Sequence, residues 1–150
     1  MPSFQGSGFL IGLPDGCTDA SAYTFLLPTQ GQYTPYITIK SERLQEAVDL
    51  KAHVSKQQAS LQDNVEDYKV VHHVAGQYNG MEVVLTTVEW GAAESRVYQK
   101  YAYFLDQDAK GYKIFTLTGH DLAAQIDESG PIFDQIFKTF TPNQVQLIEA

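Results

Sequence analysis

Between Tyr68 and Thr118 the chain carries four runs rich in branched and aromatic residues, separated by turn signals alone. The runs are Tyr68 to Val74, Met81 to Trp90, Arg96 to Leu105 and Tyr112 to Thr118. Tyr78-Asn79-Gly80, Gly91-Ala92-Ala93 and Asp108-Ala109-Lys110-Gly111 punctuate them. Parallel neighbours need a crossover of a dozen or more residues, so strands joined this closely run antiparallel. A four-stranded meander is therefore the frame on which the rest of the chain must be placed.

Upstream, Phe9 to Leu13, Ala22 to Leu27 and Tyr36 to Lys40 read as three further strands, with a turn-rich stretch from Pro28 to Thr34. A long helix follows, with Ser41 or Asp49 as its N-cap, and runs to about Gln62. Leu50, Val54 and Leu61 recur on it at helical spacing, with Gln57 on the same stripe. Downstream, Asp121 caps a short turn, and Ser129-Gly130-Pro131 opens a final helix with proline in its first turn. Ile132, Phe133, Ile136, Phe137 and Phe140 form its apolar stripe, which ends before Pro142. The order predicts one domain over residues 1–150, of α+β class: a large antiparallel sheet with the long helix and the C-terminal helix packed on one face.

That arrangement leaves the other sheet face to be accounted for. In LPDGCTDASAYTFLLP, from Leu13 to Pro28, the strand has two largely non-polar sides. Tyr23, Phe25 and Leu27 form one side, and Ala22, Thr24 and Leu26 the other. An antiparallel strand with one wet face should alternate with charged or strongly polar residues. Here the second face is small, mildly apolar and uncharged, so it is covered either by the protein itself or by something else.

Charge limits what that something is. With 18 acidic against 10 basic residues the chain carries a net charge of −8, which opposes phosphate binding and argues against nucleic acid and anionic membrane. Cys17 is the single cysteine, which excludes an intramolecular disulfide and a thiolate zinc site. The N-terminal residues lack a basic n-region, and Phe9 to Leu13 is too short for a signal-peptide core. No run approaches the roughly 20 apolar residues that cross a bilayer. The expectation is a cytoplasmic protein without membrane insertion.

Catalytic patterns are missing too. There is no GxSxG elbow and no glycine-rich phosphate loop. His72 and His73 are adjacent on a strand, so they point to opposite faces and cannot readily chelate one ion. Cys17 stands between Asp15 and Asp19, whose charge disfavours a thiolate. The chain reads as no enzyme, with no metal and no cofactor.

The landmarks, taken together, resemble the DcrB-like family and, within it, the Eag chaperones of bacterial type VI secretion. They are LPDGCTDASAYTFLLP, YITIKSE, the helix with HVSKQQ, NGMEVVLTTVEW, the strand with RVYQKYAYF and the closing GPIFDQIFKTFTP. They span about Phe9 to Pro142 in that order. The resemblance implies a PsbP-like fold and a homodimer that shields the N-terminal transmembrane helices of an effector in the cytoplasm before export. Cys17 stands where the family commonly has an aromatic, and Ala22 and Thr24 are smaller than its usual branched aliphatics.

Such a groove needs apolar walls and a few polar groups that replace the hydrogen bonds made between helices inside a membrane. Strand alternation supplies Ala22, Thr24, Leu26, Tyr36, Thr38, Gln99, Tyr101, Tyr103 and Thr116, and Gln57 adds an amide from the long helix. The alternative is a non-catalytic structural or envelope-associated sheet module without a client groove.

Overall fold

The computed structural model of the chain describes residues 3–6, 9–17, 22–28, 33–44, 46–108 and 111–142. Its first two strands, β1 (Ser3–Gly6) and β2 (Phe9–Gly12), pair as a separate antiparallel hairpin. Parts of two expected turns, residues 29–32 and 109–110, lie outside the described residues, as does Asp19.

The main sheet has six antiparallel strands: β3 (Ala22–Leu26), β4 (Tyr36–Leu44), β5 (Lys69–Tyr78), β6 (Met81–Trp90), β7 (Val97–Asp108) and β8 (Gly111–Leu122). Their order across the sheet is β3-β4-β8-β7-β6-β5. The expected meander forms: β6 has the expected bounds, and β5, β7 and β8 run on past the C-terminal ends of their hydrophobic patterns. Tyr78 pairs with Met81 across Asn79-Gly80, whose φ values of 50° and 78° fit a two-residue hairpin turn with both central residues left-handed. Such a tight turn keeps the hydrogen-bond ladder going up to its last residue.

Helix α1 (Leu50–Asn64) begins at Asp49, whose carboxylate accepts a 3.1 Å hydrogen bond from the Lys51 backbone N–H. Ser41, the other N-cap candidate, stays inside β4. The helix buries Leu50, Val54 and Gln58, whereas Gln57 is exposed. The register of the stripe is set by Gln58, which donates to the Tyr103 hydroxyl at 2.7 Å and accepts from the Tyr68 hydroxyl at 2.8 Å.

Helix α2 (Ile126–Thr139) starts one turn earlier than the Ser129-Gly130-Pro131 signal suggests. The Asp121 carboxylate is buried and organises this entry, accepting from the Leu122 N–H, the Gln125 side-chain amide and the Ser129 hydroxyl. Pro131 consequently lies inside the helix. The carbonyl it leaves unpaired belongs to Asp127, and both residues are exposed, so solvent can take the bond.

The two helices do not share a face, contrary to the expectation from the sequence. Tyr103 and Phe104 are consecutive on β7 and so point to opposite sides. Tyr103 packs with Leu50 and Val54 of α1, and Phe104 with Phe133 and Phe137 of α2. The physical reason is that β6 and β7 are apolar at both parities, with Val83, Val84, Ala102, Tyr103 and Phe104 all buried, so each face needs its own cover. Tyr23, Phe25 and Leu26 are 57%, 55% and 70% exposed, so Phe25 is not the core residue its parity suggests.

Candidate functional site

Residues directly opposite each other in a sheet share a face. Leu26, Tyr36, His120 and Gln99 form one such row across β3, β4, β8 and β7. Thr24, Thr38, Thr118 and Tyr101 form the next row, and Ala22, Lys40, Thr116 and Tyr103 the third. All nine sheet candidates therefore stand on one face, the face that carries α1.

α1 covers this face where Val84, Tyr103 and Ile114 meet it, with Leu44, Tyr101 and Leu105 packed alongside. Beside the helix lies an open groove of about 560 Å³, lined by Tyr36, Thr38, Gln57, Gln99, Tyr101 and Thr116, together with Lys40, Glu42, Ile114, Thr118 and His120. Tyr103 is kept out of the groove: it is fully buried beneath α1, where its hydroxyl holds Gln58. Ala22, Thr24 and Leu26 do not line the groove itself and extend its floor along the exposed edge strand. Thr118 and His120 were missed in the sequence, although both continue the parity of Thr116 along β8. A wider recess of about 780 Å³ lies on the opposite face, where His72, Val74 and Leu85 meet Phe137 of α2.

The groove floor is tied together by hydrogen bonds. The Trp90 indole N–H donates to Gln99 Oε1 at 2.9 Å, and the Tyr101 hydroxyl donates to the same oxygen at 2.6 Å. Gln99 Nε2 lies 3.0 Å from His120 Nδ1. The His120 ring stacks on Tyr36 with centroids 4.7 Å apart and planes 17° from parallel.

Burial tunes these groups towards neutrality. It raises the Tyr101 phenol well above its ordinary value, and neighbouring tyrosines add to the effect. It pushes Tyr103 up to about 12, against the opposing hydrogen bond from Gln58. His120 is lowered by burial, with Asp121 acting weakly the other way. The groove thus offers aromatic and hydroxyl surface with neutral polar atoms, and among the described residues Lys40 and Glu42 are the charged ones that line it.

Elsewhere, His72 pairs opposite Thr87 and His73 opposite Thr86, which puts them on different faces. His73 Nδ1 is 2.8 Å from the Thr86 hydroxyl. Among the described residues no three His, Cys, Asp or Glu side chains come together as a metal-binding group. Cys17 is exposed. No helix among the described residues is long and apolar enough to cross a membrane.

The sequence pattern of a family described as DcrB matches residues 10–135. No curated protein matches the chain significantly. Among solved structures, PA94, a protein of unknown function from Pseudomonas aeruginosa, superposes with a TM-score of 0.73 at 19% identity, over 95% of this chain and 97% of its own. LpqN of Mycobacterium tuberculosis, a protein involved in cell envelope biogenesis, reaches 0.54 at 11% identity, over 80% and 84%. The cyanobacterial PsbP of Synechocystis reaches 0.52 at 10% identity, over 89% and 99%. At these identities the likeness is one of fold, and that fold is PsbP-like.

Proposed function

The chain belongs to the DcrB family, and on that premise we propose that it is an Eag-type chaperone, which shields transmembrane helices of a type VI secretion effector in the cytoplasm before export. The observation that carries this reading is the uncovered half of the α1 face. Beside α1 the sheet keeps a groove of aromatic rings, threonines and amides. Hydrocarbon helices fit such a surface, since burying apolar area is favourable by about 25 cal/mol per Å² before association costs are subtracted. The polar atoms match the hydrogen bonds that Ser, Thr and Asn make between helices in a bilayer.

Dimensions favour a homodimer. From Ile114 to His120 the floor follows β8 for about 20 Å, and the four strands β3, β4, β8 and β7 span roughly 14 Å between outer axes. A membrane-spanning helix is about 30 Å long and 10 Å wide. One protomer can therefore seat one helix over part of its length, and two protomers together can clasp the whole.

Leu26→Asp tests the reading. Leu26 is 70% exposed, so a charge there leaves the unliganded protein folded. Against a client's hydrocarbon the same charge costs several kcal/mol. The variant should melt like the parent and should fail to keep a co-expressed effector's transmembrane segment soluble. If it folds and still holds the segment, the floor that β3 adds to the groove is not part of the binding surface, and a parent that fails to hold the segment overturns the groove reading itself. The envelope-associated alternative, suggested by the fold of LpqN, predicts that neither protein holds the segment.

A further inference from the structure

We infer that His120 is a specificity-determining hydrogen-bond donor in the groove, selecting apolar helices that carry a Ser, Thr or Asn oxygen where they cross it. This rests on the groove reading above and adds the chemistry of the contact.

The argument starts from Trp90, whose indole nitrogen can only donate. The Gln99 atom 2.9 Å from it must therefore be the amide oxygen, which also accepts from the Tyr101 hydroxyl. The Gln99 NH₂ group is thereby turned towards His120 Nδ1 at 3.0 Å, and a nitrogen that faces a donor must hold a lone pair. The single proton of the neutral imidazole is thus carried on Nε2. Burial favours that neutral state, because it lowers the affinity of the ring for a second proton.

His120 is 7% exposed and lines the groove, and its ring is clamped flat by Tyr36 at 4.7 Å. Among the described residues nothing accepts from its Nε2. A donor so fixed in orientation and so little solvated discriminates, because an apolar neighbour leaves it unpaired and an oxygen satisfies it. Gln99 and Trp90 act through it as positioning residues. The amide oxygen of Gln99 is already engaged twice and one of its N–H groups faces His120 Nδ1, so the histidine adds a fixed donor to the floor.

The test uses two fusion proteins, each carrying a 20-residue Leu/Ala helix with either Ser or Ala at its centre, co-expressed with the chaperone. The parent should retain the Ser helix about three- to tenfold better, the range set by measured hydrogen bonds between membrane helices. His120→Phe keeps a ring against Tyr36, and should hold both helices with no preference between them. Long-range ¹H–¹⁵N spectra of the unliganded parent should report the Nε2–H tautomer at neutral pH, and Gln99→Leu should release the mixture of tautomers. A preference that survives in His120→Phe, equal retention of both helices by the parent, or an Nδ1–H ring overturns the role of His120 and leaves the groove standing. A parent that holds neither helix removes the groove reading, and this inference with it.

Discussion

Gly119→Ala probes why α2 can lie on the sheet at all. A Cβ built at Gly119 stands 2.5, 2.7 and 2.9 Å from three ring carbons of Phe133. Carbon atoms in good contact are about 3.5–4.0 Å apart, so the new methyl is roughly 1 Å too close. Phe133 is fully buried in the cluster with Ile37, Ala102, Phe104 and Leu117, so its ring has no free direction. Overpacking of this kind costs about 1–3 kcal/mol, and with a ring as the obstacle the upper half of that range is expected. Phe133→Ala alone removes the ring and should cost about 3–5 kcal/mol. In the double variant the methyl enters the space the ring vacates. The pair should then cost no more than Phe133→Ala alone, instead of the sum of about 5–8 kcal/mol expected of independent sites. Urea unfolding followed by far-UV circular dichroism resolves this, since with a slope of about 2 kcal/mol per M the Gly119→Ala midpoint falls by about 1 M. A Gly119→Ala midpoint within about 0.25 M of the parent, or additive losses in the double variant, would refute the close approach of strand and ring.

Other substitutions test the remaining anchors. Tyr103→Phe leaves the buried Gln58 amide without its 2.7 Å acceptor and should cost about 1–3 kcal/mol in the same assay. The Tyr103 phenol, raised to about 12, keeps its proton when an unfolded tyrosine ionises near 10. Stability present below about pH 10 should therefore drain away as pH rises towards 12, and Tyr103→Phe should flatten that decline in urea midpoints taken across the range. His120 behaves in the opposite sense: its folded pKa is depressed by burial, so below the ordinary value near 6.5 the unfolded chain binds the extra proton. Stability is complete above that pH and falls as acid is added, and His120→Phe should lessen the fall below about pH 7. Asp121→Asn turns an NH₂ group towards donors from Ser129 or Gln125 and should cost about 1.5–3 kcal/mol, and an unchanged thermal midpoint would refute the anchoring role of Asp121.

Local chemistry made the framework legible in the sequence. Alternating branched and aromatic residues, Asn79-Gly80 and the helical stripe on α2 act over a few residues each, and they determine strands, hairpin turns and helix in order. The shared face of Ala22, Thr24, Leu26, Tyr36, Thr38, Gln99, Tyr101, Tyr103 and Thr116 was likewise readable, because among the described residues the register shifts only between Val70 and His72 in β5, away from them all. Tertiary packing decided the rest. Because β6 and β7 are apolar at both parities, alternation cannot say which face a helix takes, and α1 and α2 divided them between the two sides. Gln58 and not Gln57 turned inward because Tyr103 and Tyr68, 45 and 10 residues away, hold its amide. α1 also buries Tyr103 and keeps it out of the groove. His120 became part of the floor only when β8 came to lie between β4 and β7, next to Tyr36 and Gln99. A residue's periodicity names the side of the sheet it occupies, whereas its cover and its partners come from elements far along the chain, whose meeting no local pattern records.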